Sequence, residues 1–262
     1  MLGTGNALVT ECYNTCFVLH ENQKYFMVDG GGGNAVLHQL KYAGLDWRNM
    51  REIFVTHKHL DHLLGILWMI RVVCQFMSLG QYEGEINIYG HCEVIKLIRD
   101  IAIKLLSKNE SRYIDDRLHL IEVYDGDERI VNNKKVAFFD IHSTKAKQFG
   151  FCMEIETGER LTCCGDEPFD EFEKKYVEGS KWLMHEAFCL DSEADIFEPY
   201  AKRHSTVKDA CLLAERMCVK NLILYHTEDK NISKRKQLYM EEGKKYFSGG
   251  LFVPDDLDVI TL

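Results

Sequence analysis

Short apolar or alternating runs recur along the chain, and most of them close on Gly, Asp or His. CFVLH (16–20), KYFMVDGG (24–31), EIFVTH (52–57), EINIYGH (85–91) and HLIEVY (119–124) read as strands, as do KVAFFDIHS (135–143), FGFCMEIE (149–156), RLTCCGD (160–166), KWLMHEA (181–187) and NLILYH (221–226). Longer segments between them have helical spacing: NAVLHQLKYAG (34–44), with Gly44 as its stop, EVIKLIRDIAIKLLSK (93–108), STVKDACLLAERMC (205–218) and KRKQLYMEEGKKYFSG (234–249). Strands and helices alternate, which is the pattern of α/β layers. No stretch rich in Pro, Ser or Gly divides the chain, so one domain spanning 1–262 is expected. DGGGGN (29–34) lies between a predicted strand and a predicted helix and lacks the G-x-G-x-x-G and G-K-[ST] spacings. A tight turn or a close backbone approach is expected there, rather than a hinge or a nucleotide loop.

Composition narrows the class. A hydrophobic share of 46%, a charged share of 28% and only 3 Pro describe an ordinary globular chain. No apolar run approaches the roughly 18 residues of a membrane span, and MLGTGNALVT lacks the charged region and long apolar core of a signal peptide. A cytoplasmic protein with no membrane partner is expected. The ten cysteines, at irregular spacings and with no C-x-x-C pair, are expected to be buried reduced thiols. The net charge of −9 opposes general affinity for nucleic acid, which rests on Lys and Arg neutralising phosphates.

The chemistry concentrates in IFVTHKHLDHLLG (53–65), which places His57, His59, Asp61 and His62 within six positions at the end of an apolar run. Strand side chains alternate with period two, so His57 and His59 project to the same side and can converge on one ion. Asp61 and His62 follow as the chain turns, placed to face a second ion; His and Asp are ligands that zinc accepts. A lone histidine would favour a hydrogen-bonded core or surface role, but the H-x-H-x-D-H spacing makes that reading weak. Three further apolar strands end on metal-capable side chains, at His142, Asp166 and His226. Taken singly, these could be a loop histidine, a helix cap and a partly buried histidine. Together with the motif they suggest ligands delivered to one sheet edge.

THKHLDH followed by a later His, Asp and His resembles the ligand series of the metallo-β-lactamase superfamily. The ordered motifs LGTGNA, IYG, HSTKAKQFGF, GD at 165–166, HEAF at 185, HST at 204 and LILYH at 222 are similar to those of ribonuclease Z. The resemblance implies a four-layer αβ/βα sandwich, with two mixed sheets flanked by helices. It implies a hydrolase with two Zn2+, Mn2+ or Fe2+ serving as alternatives: His57, His59 and His142 on one ion, Asp61, His62 and His226 on the other, and Asp166 bridging. It further implies that Asp61, Glu186 and His204 are catalytic, Glu186 and His204 working together beside the scissile phosphate. Its partners would be a phosphodiester, small molecule or RNA, and a second copy of the chain as a homodimer. Two zinc ions polarise a phosphoryl oxygen and stabilise an in-line displacement, while His204, oriented by Glu186, could protonate the departing oxygen. The bland reading of that pair is an interstrand hydrogen bond.

The chain also departs from the family it resembles. Ribonuclease Z usually carries a long tRNA-gripping arm between its third histidine and the bridging aspartate; here only STKAKQFGFCMEIETGERLTCCG intervenes, enough for a turn and two strands. The Ser-Arg-Tyr that usually follows the last ligand is replaced by TEDKNISKRKQLY. These features favour a phosphodiesterase of small or cyclic substrates, with tRNA 3′-end cleavage as the alternative. Ester or lactone hydrolysis, for which the third histidine commonly sits in a GHTPG loop, and a binding-only role are weaker readings. In KNISKRK (230–236), Lys230, Lys234 and Arg235 are expected to meet one or two phosphates at the mouth of the site.

Overall fold

The computed structural model describes residues 1–262. One sheet has the order β1-β2-β3-β4-β5, formed by β1 (Phe17–Glu21), β2 (Lys24–Val28), β3 (Met50–Phe54), β4 (Ile86–Gly90) and β5 (Leu118–Glu122). Only its β1–β2 pair is antiparallel, closed by Asn22 and Gln23 with φ of 48° and 65°, the left-handed pair that a two-residue hairpin turn requires. The second sheet is ordered β12-β11-β10-β9-β8-β7-β6. Its antiparallel half comprises β6 (Glu128–Val131), β7 (Lys134–Asp140) and β8 (Phe149–Glu156), which runs antiparallel to β9 (Glu159–Cys163). From β9 through β10 (Trp182–Glu186), β11 (Asn221–Tyr225) and β12 (Gly250–Phe252) the strands are parallel.

Three separate cores define the layers. Phe17, Phe26, Phe54, Phe138, Phe151 and Met184 fill the space between the sheets. Behind the first sheet, Met27, Ile53 and Ile88 pack with Ile66 and Ile70 of α2 (Leu60–Ser78) and Ile98 of α3 (Cys92–Leu105), and Leu40 of α1 (Ala35–Tyr42) joins them. Behind the second, Leu183, Leu222 and Leu224 pack against Cys211 and Ala214 of a later helix (Val207–Arg216), alongside Tyr239 of the last one (Arg235–Gly243). Single helical turns α4 (Lys108–Ser111), α5 (Lys174–Val177) and α6 (Ala194–Phe197) connect the layers, so these two long helices are α7 and α8. This is the expected αβ/βα sandwich, and the segment without an arm is the β8–β9 pair.

Helix α2 and strands β6 and β12 depart from the pattern reading. The longest helix, α2, carries apolar residues around nearly its whole circumference, so it has no polar face to set a helical period. It has the length and hydropathy of a membrane span, yet about half of it is buried within the fold, in the core behind the first sheet. β6 was signalled by Asn132-Asn133, whose φ values of 50° and 69° again make a hairpin turn.

DGGGGN proves to be a site of close approach. Gly30 N–H donates to the His62 carbonyl at 2.8 Å and Gly65 N–H to that of Gly31 at 2.9 Å. A Cβ on Gly65 would lie 1.8 Å from the Gly30 oxygen, so α2 runs flush against the loop only as glycine against glycine. That contact sets the start of α2, and with it Asp61 and His62, against the end of β2. All ten cysteines are free and seven are buried, as expected.

Candidate metal centre

The site lies along one edge of the sandwich, where the parallel strands of both sheets end. After β3, Thr56–His59 stays extended, so the His57 and His59 rings turn to one side, with Nε2 of the first 2.8 Å from Nδ1 of the second. Asp61 and His62 occupy the first turn of α2. Asp166 follows β9, and His226 follows β11 with φ of 57°. The ligand atoms of His57, His59 and Asp166 lie within 4.8 Å of one another, and so do those of Asp61, His62 and His226.

Asp166 joins the two groups. Its Oδ2 lies 3.7 Å from His57 Nε2, 3.6 Å from His62 Nε2 and 3.4 Å from His226 Nε2; Asp61 Oδ2 lies 3.3 Å from His62 Nε2 and 3.5 Å from His226 Nε2. Bonds of about 2.0–2.1 Å at tetrahedral angles would put two zinc ligands roughly 3.3–3.4 Å apart, close to these separations. His62 Nε2, both nitrogens of His226 and Asp166 Oδ1 are buried without a hydrogen-bond partner. Such groups are rare unless something satisfies them, and a divalent cation fits this donor set.

The electrostatics agree. Burial pushes His57 well below the ordinary imidazole range, and burial likewise lowers His59, leaving both neutral as ligands must be. Burial opposes ionisation of Asp166, but His57, His62 and His226 outweigh it and hold the carboxyl well below its usual range; for Asp61, His62 and His226 do the same. Burial would also lower His62, yet the Asp61 and Asp29 carboxylates win and raise it. The buried carboxylates of Asp29, Asp61 and Asp166 have only imidazoles as ion-pair partners, so this cluster calls for cationic charge.

Asp29 is a residue of the candidate site that pattern reading missed. It follows β2 with φ of 57°, accepts hydrogen bonds from Thr56 N–H at 2.8 Å and Thr56 Oγ1 at 2.7 Å, and lies 2.7 Å from His62 Nδ1. That contact fixes the His62 tautomer and aims Nε2 at the site. Its signal was an acid ending an apolar run, the feature that marked Asp166.

His142 stands apart from both groups. It is exposed, takes a φ of 57°, and packs its ring on Phe172 with centroids 4.3 Å apart. Glu186 and His204 do approach one another: Oε2 lies 3.6 Å from Nδ1, too long for a hydrogen bond. The other Glu186 oxygen accepts Ser205 N–H, and the His204 ring is held by stacking on Phe188 at 4.8 Å. Both sit beside His226, with ligand atoms within 4.8 Å of one another.

Of the basic residues after His226, Arg235 does not serve as expected. Arg235 is fully buried, bonding to Thr227 Oγ1, Thr4 Oγ1, the Pro254 carbonyl and Asp255. It ties both chain ends to the sheet because the partners that bury its charge come from distant segments. Lys230 lies over the Phe197 ring.

A family model described as Anti-Pycsar protein Apyc1 matches residues 1–246. The chain belongs to the Anti-Pycsar protein Apyc1 family. It is also similar to ribonuclease Z of Thermococcus sibiricus, 27% identical over 305 aligned positions that cover 100% of this chain and 95% of that protein. Among solved structures, it superposes on the metallo-β-lactamase fold protein YhfI from Bacillus subtilis with a TM-score of 0.77 at 17% identity, covering 97% of this chain and 95% of that one. On the short form of human tRNase Z the TM-score is 0.72 at 20% identity, covering 99% and 97%. The fold is that of the metallo-β-lactamases, the chain is ribonuclease Z-like, and it is a metal-dependent hydrolase.

Proposed function

We propose that the chain is a phosphodiesterase that uses two zinc ions to cleave small or cyclic phosphodiesters. The observation that carries this reading is the shared oxygen: Asp166 Oδ2 stands 3.4–3.7 Å from imidazoles of both ligand groups. His57, His59 and Asp166 would hold one ion, joined by His142 on leaving Phe172. Asp61, His62, His226 and Asp166 would hold the other. When bound, the pair supplies Lewis acidity toward a phosphoryl oxygen and a nucleophile at neutral pH.

The chain's own residues do the rest. Asp29 keeps the His62 lone pair directed inward. Phe188 holds the His204 ring beside His226, where it can deliver a proton to the departing oxygen, and Glu186 orients it once the 3.6 Å gap closes, since such contacts often tighten only around substrate. The β8–β9 pair in place of an arm and the net charge of −9 support a small substrate over a long polyanion.

The test is catalytic efficiency toward bis(p-nitrophenyl) phosphate, a panel of cyclic nucleotides and a precursor tRNA with a 3′ trailer, at several salt concentrations. A small diester making one or two phosphate contacts should show a shallow salt slope. Preference for the tRNA with a steep slope would replace this reading with tRNA 3′-end cleavage.

A further inference from the structure

The inner faces of the two sheets change character along their length. Near the metal centre the rings of Phe54, Phe138 and Phe151 fill the space between them. Toward the other end, where the parallel strands begin, Phe17, Leu19 and Phe26 of the first sheet and Ile155, Met184 and Ile223 of the second line a cavity of about 410 Å3. Folded interiors are normally packed without such voids, and an apolar one gains little from water. None of these six side chains carries a hydrogen-bond donor. The polar residues that line the cavity, among them His20, Lys24, Lys134 and Glu156, are exposed or half-buried and so mark its rim.

Residues 257–262 complete the wall as a strap without regular structure. Leu257 takes a φ of 69°, a left-handed conformation rare for a bulky residue, and its N–H donates to the Met1 carbonyl at 2.9 Å. The Met1 ammonium in turn donates to the Asp258 carbonyl at 2.7 Å. Beyond this clasp Ile260 packs against the core between the sheets, while Val259 stays 82% exposed. Most charges of the rim are answered within the protein. Lys134 reaches Glu21 at 3.3 Å and the Ile155 carbonyl at 2.7 Å, Lys181 answers Glu159 and Glu156, and Asp258 pairs with Lys236. Lys24, exposed at the start of β2, is the lysine of the rim left without an acidic partner.

A fitting occupant is apolar along its length, flexible enough to follow walls of aliphatic and Met side chains, and acidic at one end. At about 30 Å3 for each water-sized group, the cavity has room for roughly 14 heavy atoms. We infer that it binds one medium-chain fatty acid, a saturated carboxylate of about ten to twelve carbons, with the chain between the sheets and the head group at Lys24. The site lies at the end of the sandwich away from the metal centre, and the inference does not depend on how that centre is read.

The experiment is calorimetric titration of the full chain, zinc-loaded and freed of excess metal, with hexanoate, octanoate, decanoate, dodecanoate and tetradecanoate, each below its micellar range. One site per chain is expected. Affinity should rise about fourfold per added methylene until the cavity is full, and level off by tetradecanoate. Lys24→Glu should weaken decanoate about two- to fivefold and leave decan-1-ol unchanged. Leu19→Trp, which fills the cavity from a half-buried position on the edge strand β1, should weaken both ligands by about tenfold or more. If that variant fails to fold, Lys24→Glu and the length series still decide. Saturating inorganic phosphate, which competes for the metal centre, should leave decanoate binding unchanged. Absence of saturable binding, affinity that climbs without levelling, displacement of decanoate by phosphate, or affinities unaltered in the folded variants would overturn the inference.

Discussion

Replacing Asp29 with Asn tests whether this carboxylate sets the metal-binding geometry. Asn is nearly isosteric and tolerates the left-handed φ of 57°, so the backbone should hold. The native carboxylate faces three donors: Thr56 N–H on Oδ1, and Thr56 Oγ1 and His62 Nδ1 on Oδ2. An amide has one oxygen and one NH2. If the oxygen keeps Thr56 N–H, the NH2 faces His62 and the imidazole proton must move to Nε2, removing the lone pair aimed at the site. If the amide flips, NH2 meets the Thr56 N–H instead. A hydrogen bond to a charged group contributes about 1.5–3 kcal/mol and a neutral one about 0.5–1.5, so the loss is roughly 1–2 kcal/mol before any tautomer change. The expected outcome is 10- to 100-fold weaker zinc binding at the Asp61, His62 and His226 group, with a smaller effect at the His57 and His59 group. Competition against a chelating dye, with metal counted per chain, measures both. Affinities within about twofold of wild type at both groups would refute the argument.

Three further outcomes are expected. Burial pushes the Glu173 carboxyl up from 4.5 to about 8, so its folded-state proton contributes stability that is fully present below pH 4.5 and is lost as pH rises through 8, at no more than about 1.4 kcal/mol per unit. Glu173→Gln should therefore flatten the loss of melting temperature between pH 6 and 9, and a wild-type-to-variant difference constant over that range would contradict the protonated state. Asp166→Ala should cost one metal per chain and nearly all turnover, because its Oδ2 serves both ligand groups; retained activity would misplace the centre. His204→Ala and the Glu186→Gln/His204→Ala double variant should lose similar activity, on the order of 10²- to 10⁴-fold, with metal content unchanged; multiplying losses would mean that the two residues act separately.

The centre was legible where ligands are close in sequence or end an apolar strand. His57, His59, Asp61 and His62 announce themselves by spacing, and Asp166 and His226 by terminating buried strands. Asp29 obeys the same rule but was obscured by the glycines after it, whose role only the approach of Gly65 explains. α2 was hidden by its own burial, since a helix apolar all round lacks a period. Arg235 looked like surface because its charge is visible in sequence, whereas the partners that bury it, Thr4 and Asp255, are 231 and 20 residues away. The β6 hairpin carried a readable turn, Asn132-Asn133, but on an edge strand with three of its four residues exposed. His142 follows the same strand-end spacing, yet the loop after β7 lays its ring on Phe172.

The candidate ligands belong to both sheets: His57, His59, Asp61 and His62 follow β3, while Asp166 and His226 follow strands of the second sheet. Cations held there would rivet the two halves of the sandwich at one edge, adding to the Phe-rich seam between them. Because neither half alone owns a complete set, an ion can be captured only once the halves have docked. Each site held at 100 times its dissociation constant would add about 2.7 kcal/mol to that docked state alone. Zinc supply would then govern how long the closed sandwich survives as well as how fast it turns over, and a chelator would act on this protein as a wedge.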